Sequence, residues 1–291
     1  MIDGHILGRC RSCGMVQACP AGDFAAVSYA DYGDYLLLGE DREIRKRVRS
    51  VGRAMRSRLE LISRRYDSPT VLDFGSGAGY LCKAAEEFGL HVAGVELSEK
   101  LTEFSTTRVG FGNVYRRVED AGQHFDAIFM TDVIEHLQPA ASRQIMTGLL
   151  DHLKPGGLLI GNTPNFNSAN IRLCGDRDPV IAPPYHQCYF TPQSLDAYLV
   201  SLGLKRLRLY SKGLSPDSFL RRRKFEPSFM DRGLSNIRPA MLPLAVMLKL
   251  AFKVAGTLLG PWGLGYQLFF VYEKRRYVVP AELIQARRAS E

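Results

Sequence analysis

Cysteine is sparse in this chain, six residues in 291, at Cys10, Cys13, Cys19, Cys82, Cys174 and Cys188. So thin a set cannot frame a disulfide-stapled domain, and it fits a reducing compartment. The first residues lack a basic stretch followed by an apolar core, so no secretory signal is expected and the cytoplasm is the expected location. A metal knuckle is half missing. Cys10-Arg11-Ser12-Cys13-Gly14 is one CxxCG unit where a structural zinc site commonly uses two. His5 and Cys19 could complete four ligands only at irregular spacing, the alternative being a vestigial knuckle or free thiols, and no metal site is assigned. RNA- and DNA-binding signatures are absent, so nucleic acid is not an expected partner in spite of a formal charge of +8. With 46% hydrophobic and 23% charged residues the chain is an ordinary folded one, long enough for one α/β core with extensions.

The stretch that organises the rest is Val71-Leu72-Asp73-Phe74-Gly75-Ser76-Gly77-Ala78-Gly79-Tyr80-Leu81. Thr70 to Phe74 reads as a buried strand, the alternate glycines as a tight turn, and Tyr80 to Phe88 as the following helix. A dinucleotide fingerprint would carry its third glycine at position 80, where this chain has tyrosine. Asp73 adds a carboxylate beside the loop. That charge would repel a pyrophosphate and welcome an ammonium group. Asp73, Gly75, Gly77 and Gly79 therefore point to a nucleoside ligand that carries an amino group and no phosphate, and S-adenosylmethionine is the common cofactor of that description.

Strands and helices alternate from Thr70 onward, the pattern of a mainly parallel sheet covered on both faces. His91 to Glu96 is a second strand, and Glu96 falls about twenty residues past the loop, where a carboxylate can accept from two ribose hydroxyls. After the helix from Leu97 to Arg108, the short strand Asn113 to Val118 leads to Glu119 and Asp120. Either acid could accept from the adenine amine or cap the next turn. Phe125 to Asp132 is a fourth strand, which places Asp132 to His136 at a ligand-binding strand end. A helix over Ser142–Leu153 stops at Lys154-Pro155-Gly156-Gly157, and Leu158 to Asn162 is a fifth strand. The segment from Ser168 to Cys188 has no clear periodicity, and long loops on the ligand side are usually functional. His186 near its end is the first candidate for a catalytic base and His136 the second, the alternative for each being a structural hydrogen bond. Thr191-Pro192 opens a helix to Leu202, and Lys205 to Tyr210 is a sixth strand.

The flanks read less sharply. Residues 1–66 form an N-terminal extension that ends in a long helix, with Ile44, Val48, Val51, Met55, Leu59 and Ile62 on one apolar stripe and ten Arg and Lys residues on the other faces. Tyr29, Tyr32 and Tyr35 could lie across a pocket mouth or pack on the surface. Residues 67–210 make the nucleotide-binding domain, and residues 211–263 a helical insertion with the charge run Arg221-Arg222-Arg223-Lys224. Met241 to Leu259 is apolar but carries Lys249 and Lys253 and is interrupted by Pro243 and Gly256. It reads as an amphipathic helix, either packed over an acceptor site or lying at a membrane interface. Residues 264–274 return a last strand to the sheet, and 275–291 are a polar tail.

Taken together, these positions resemble the class I S-adenosylmethionine-dependent methyltransferases, in the branch that includes small-molecule, quinone and sugar methyltransferases. The matching text is the glycine loop, Gly94-Val95-Glu96, Phe125-Asp126 with Val133-Ile134-Glu135-His136-Leu137, Leu153-Lys154-Pro155-Gly156-Gly157, Thr163-Pro164-Asn165, and His186 with Tyr189-Phe190-Thr191. The resemblance implies a Rossmann-like, doubly wound α/β sheet of seven strands, mostly parallel with the last one antiparallel. It implies cofactor roles for Asp73, Gly75, Gly77 and Glu96. Members with a CxxCG at this place often carry a second knuckle before it, which this sequence lacks. The expected activity is methyl transfer to a small-molecule or lipid-linked acceptor, on oxygen more than on carbon or nitrogen. The alternatives are a cofactor-binding module without turnover, at a membrane surface or in a complex, and an RNA or protein methyltransferase.

Overall fold

The computed structural model describes residues 5–11, 13–20, 36–215 and 242–276. The tyrosine loop at 29–35, the basic run at 221–224 and the tail from 277 lie outside them. The chain starts with two strands, β1 (His5–Arg9) and β2 (Val16–Pro20), paired antiparallel from His5 opposite Pro20 to Arg9 opposite Val16. The CxxCG unit is the turn of this hairpin. Cys10 N–H donates to the Met15 carbonyl, and Gly14 N–H to that of Cys10, with Gly14 at φ 74°.

Helix α1 (Asp41–Arg65) follows and buries Ile44, Val48, Met55, Leu59 and Ile62, with Val51, the sixth residue of the stripe read from the sequence, half-buried. The core then alternates as expected through β3 (Thr70–Phe74), α2 (Tyr80–Glu87), β4 (His91–Val95), α3 (Glu99–Phe104), β5 (Val114–Tyr115), β6 (Phe125–Thr131), α4 (Pro139–Asp151) and β7 (Leu153–Pro164). Beyond it come α5 (Ala169–Cys174), β8 (Cys188–Tyr189), α6 (Pro192–Ser201), β9 (Leu204–Lys212), α7 (Leu242–Leu259) and β10 (Gln267–Lys274). The main sheet has seven strands in the order β5-β4-β3-β6-β7-β10-β9. β3 to β7 are parallel, and β10 runs antiparallel to both of its neighbours. This is the doubly wound sheet the sequence implied.

Successive strand residues point to opposite faces, and both faces are apolar. Val71, Ala127, Phe129, Leu158 and Ile160 pack with Met55, Leu59 and Ile62 of α1 and Leu81 of α2. Leu72, Ile128, Met130, Leu159 and Phe270 pack with Met146 and Leu149 of α4 and Leu195 and Leu199 of α6. Thr191 caps α6 through a reciprocal box with Ser194, and Pro192 occupies its first turn, where a missing N–H costs nothing.

Two local differences from the sequence reading concern where elements begin and end. Lys154-Pro155-Gly156-Gly157 stops α4, yet the chain enters the sheet at Leu153 and not at Leu158. Leu153 pairs with Phe125 and Leu158 with Ala127, so Lys154–Gly157 is an extra length accommodated as a bulge. The helix expected to Arg108 loses its α form at Ser105 and continues as a π turn to Val109. Helix α7 packs on the end of β9 through Gly256, where a methyl group would come within 2.6 Å of the Gly213 carbonyl carbon. Among the described residues no helix is long and apolar enough to cross a membrane.

Candidate functional site

The carboxyl ends of the parallel strands carry Asp73, the glycine loop, Glu96 and Asp132, while His186 comes from the loop before β8. Gly75, Gly77 and Gly79 all have positive φ, at 78°, 54° and 76°. A side chain is excluded there for steric reasons as well. A Cβ on Gly75 would sit 2.5 Å from Val133 Cγ2, and one on Gly79 would sit 2.1 Å from the Ser105 hydroxyl oxygen. Gly77 faces Leu36, whose backbone carbonyl accepts from the Tyr80 hydroxyl, so residues just before α1 lie over the loop.

Glu96, one residue past β4, holds this loop from below. Its Oε2 accepts from Gly77 N–H at 2.8 Å and its Oε1 from Ser98 N–H at 2.9 Å. Each carboxylate oxygen has two acceptor sites, so both retain capacity for a ribose hydroxyl. Asp73 lies under the loop, 3% exposed. It accepts from the Cys82 thiol at 3.6 Å, and among the described residues no lysine or arginine pairs with it. Burial pushes its carboxyl up to about 7, opposed by the Cys82 hydrogen bond and helped by the charge of Glu96. The Ser76 hydroxyl, inside the loop, is buried and has no hydrogen-bond partner among the described residues. A buried acid short of a cation and an orphaned hydroxyl in a glycine turn are the features an amino-acid-bearing nucleoside would satisfy, so the residues present fit S-adenosylmethionine. Glu119 is placed differently. It is exposed on the turn after β5 and pairs with Arg117 at 3.4 Å.

Beside the glycine loop lie the neighbouring ends of β6, β7 and β10. Asp132 has φ 51°, a left-handed conformation rare for a non-glycine residue, and such strain concentrates at functional sites. It is held by its own N–H donating to the Asn162 carbonyl and by Asn162 Nδ2 donating to Oδ1 at 2.7 Å. The turn that follows carries Glu135 and His136. Glu135 is 2% exposed and accepts from the Thr163 hydroxyl at 3.0 Å. Burial, and after it the charge of Asp132, raises its carboxyl well above the usual range.

The long segment after α5 folds back over this turn and brings His186 to His136, ring centres 4.8 Å apart. His136 Nδ1 donates to the Tyr185 carbonyl at 2.8 Å, and His186 Nδ1 to the Val180 carbonyl at 2.7 Å. A carbonyl can only accept, so Nε2 is the nitrogen of each ring that carries the lone pair. Burial lowers both imidazoles, His136 to about 4 with help from His186, so both are neutral near pH 7.

Several residues that position this pair escaped the sequence reading. Asp178, fully buried, accepts from Val180 N–H at 2.9 Å and from the Tyr266 hydroxyl at 3.2 Å, which fixes the carbonyl that orients His186. Gln187 N–H donates to the Glu135 carbonyl, and the Gln187 carbonyl accepts from Ala18 N–H. β8 then pairs with β2, so the N-terminal hairpin clamps the histidine loop from outside. Asn165 ties the same region to β10 by donating to the carbonyls of Gly263 and Gly265. Thr163-Pro164-Asn165 was legible as a motif, but its role depends on a partner a hundred residues away.

Comparison with known proteins agrees with this fold. The family model described as a methyltransferase domain matches residues 44–209. Among curated proteins, the chain is 31% identical over 111 residues to a ubiquinone biosynthesis O-methyltransferase of Mesorhizobium japonicum, covering 35% of this chain and 44% of that protein. It is 37% identical over 101 residues to a protein-L-isoaspartate O-methyltransferase of Syntrophobacter fumaroxidans, covering 31% and 37%. The aligned chain thus spans less than half the length of these relatives. Among solved structures, a SAM-dependent methyltransferase from Archaeoglobus fulgidus shares the fold with a TM-score of 0.50 and 17% identity, over 78% of this chain and 94% of that one.

Proposed function

The chain belongs to the class I S-adenosylmethionine-dependent methyltransferases, and from that premise we propose that it transfers a methyl group to an oxygen of a small acceptor, a quinone-type, sugar or lipid-linked metabolite. The observation that carries this reading is the contact of Val133 with Gly75. It brings the turn that leads to Glu135 and His136 beside the glycine loop, which supports a reading in which the acceptor and cofactor ends adjoin.

When bound, the cofactor supplies a sulfonium-activated methyl group. The chain's residues supply alignment and exclusion of water. In this reading Asp73 takes the ammonium, Glu96 the ribose hydroxyls, and the backbone of Gly75 to Gly79 allows close approach. Asp132, fixed by Asn162, faces the methionine part or the acceptor. Glu119 is the adenine-side acid only if it gives up its contact with Arg117. At the acceptor end His186 receives the hydroxyl proton on Nε2, with His136 as the second candidate. An imidazole that burial holds neutral is a weak base. It suits an acidic hydroxyl of phenolic type, with a pKa of about 10, better than an alcohol of a sugar. The relative named for ubiquinone biosynthesis points to the same acceptor chemistry.

The competing acceptor is a protein carboxyl oxygen, after the isoaspartate-directed relative. Mass spectrometry of metabolites, lipid-linked glycans and the proteome from cells with and without the gene separates the two by which fraction loses one methyl mass. A module that holds the cofactor without turnover predicts no loss in any fraction.

Peripheral membrane contact through the 241–259 segment belongs to the same proposal. Met247, Leu250, Val254 and Leu258 line one exposed face of α7, and Trp262 beyond its end is 80% exposed. Apolar residues at that spacing with a tryptophan at the edge suit a lipid interface. Flotation with vesicles containing anionic lipid tests it. The full chain should float, the doubly charged variant Leu250→Glu/Val254→Glu should not, and equal behaviour of the two would remove α7 from the account.

A further inference from the structure

The turn after β6 and the loop that ends at β8 bring together two imidazoles and a carboxylate, and the proposed chemistry uses only one of the three. Glu135, His136 and His186 each offer one ligand atom, and these atoms lie within 4.8 Å of one another. We propose that Glu135, His136 and His186 form a binding site for a first-row divalent cation at the acceptor end of the cleft. The inference rests on the methyltransferase reading only for what the ion would serve, which is an acceptor oxygen.

Three observations carry the site. Both histidines donate Nδ1–H to backbone carbonyls, of Tyr185 and Val180. That is the outer contact metal-ligating histidines make, because it fixes the tautomer and turns the Nε2 lone pair toward the ion. Glu135 is 2% exposed, and among the described residues no lysine or arginine pairs with it. A buried carboxylate of that kind calls for a cation, and a metal ion is the one its imidazole neighbours can share. The scaffold is also rigid. Thr163 orients the Glu135 carboxylate from β7, and Asp178 fixes the Val180 turn that orients His186. Two histidines and one carboxylate leave positions open for water or substrate, the arrangement of a reactive centre and not of a structural one. Bonds of about 2.0–2.1 Å require ligand atoms about 3.3 Å apart in a tetrahedral site. Binding therefore draws the three side chains inward by about an ångström, within the reach of side-chain rotation.

The site is separate from the single CxxCG unit, which lies in the β1–β2 turn. Cys10 and Cys13 supply the control that distinguishes the two.

The test uses the full chain stripped with a chelator and titrated with Co2+, followed by visible absorption and by calorimetry. One equivalent should bind, with visible bands of nitrogen and oxygen ligation and no intense near-ultraviolet thiolate band. His186→Gln and Glu135→Gln should each weaken binding at least tenfold, and Cys10→Ser/Cys13→Ser should leave it unchanged. Circular dichroism and S-adenosylmethionine binding, measured on the same samples, report whether each variant is folded. Failure to bind one equivalent, or loss of binding in the cysteine variant with retention in His186→Gln, overturns the proposal. Cofactor binding without Co2+ binding removes the metal site alone. Co2+ binding without cofactor binding removes the methyltransferase reading and leaves the metal site standing.

Discussion

Replacing Asp73 with asparagine should move two properties in opposite directions, because the same carboxylate is a burden to the empty protein and an asset to the complex. Its carboxyl, ordinarily near 3.8, is pushed up to about 7 by burial. A shift of about 3 units corresponds to about 4 kcal/mol against the charged form at pH above 7. The sign follows from proton counts. Between pH 4 and 7 the folded protein holds a proton at Asp73 that the unfolded chain has released, so this group's contribution to stability falls as pH rises through that window. Asparagine removes the charge but buries an amide N–H pair, which costs about 1–3 kcal/mol if unsatisfied. The net gain for Asp73→Asn at pH 8 is therefore about 1–3 kcal/mol, a rise of several degrees in the thermal midpoint of the ligand-free protein. At pH 4, where the folded carboxyl is already neutral, the gain is lost and the amide's cost leaves the variant the less stable of the two. Loss of a charge-assisted contact to the cofactor's ammonium costs about 1.5–3 kcal/mol, ten- to a hundredfold in Kd. Calorimetry in buffers of different ionisation enthalpy adds a third readout. The parent should release about one proton on binding S-adenosylmethionine at pH 6, and Asp73→Asn none. A variant less stable than the parent at pH 8, with unchanged affinity and unchanged proton release, would refute the placement of Asp73 against the ammonium.

Other substitutions test other parts of the cleft. Gly75→Ala places a methyl group 2.5 Å from Val133 in a left-handed backbone conformation, and should cost about 1–3 kcal/mol of stability together with cofactor affinity. Adding Val133→Ala should restore part of both, and strict additivity in the double-mutant cycle would deny the contact. Glu96→Gln replaces an acceptor shared between Gly77 N–H, Ser98 N–H and the ribose, and calorimetry should show affinity falling about tenfold with the fold retained. His186→Gln should slow single-turnover transfer at least a hundredfold with the cofactor saturated, whether the imidazole takes the proton or holds an ion. A rate within a few-fold of the parent would take His186 out of the reaction.

The glycine turn with its flanking strand and helix was legible in the sequence because its geometry is local. Strand, glycine turn and helix follow one another from Thr70 to Phe88, and the residue types at Asp73, Gly75, Gly77 and Gly79 are each demanded by a backbone or charge requirement within ten positions. Glu96 needed only one further βα step. The histidine pair was legible as two separate residues and not as one cluster. His136 and His186 stand fifty residues apart, and their meeting depends on Asp178, Tyr266 and a strand pair between β8 and β2. None of these leaves a periodic trace. The N-terminal hairpin escaped for the same reason: His5–Arg9 and Val16–Pro20 are five-residue strands without clean alternation, so Cys10 to Gly14 read as half a knuckle with no metal site assigned, and not as the turn of a hairpin. Lys154 to Gly157 misled in the other direction, since proline and glycine mark a helix stop equally well whether a loop or a bulged strand comes next.

Calorimetric titration of the full chain with S-adenosylmethionine tests the central claim most directly. The account predicts saturable binding of one equivalent, weakened by Asp73→Asn and by Glu96→Gln, and a matching rise in thermal midpoint with ligand concentration. Absence of heat and of any thermal shift at millimolar cofactor, in a sample whose circular dichroism shows the folded α/β core, would contradict it.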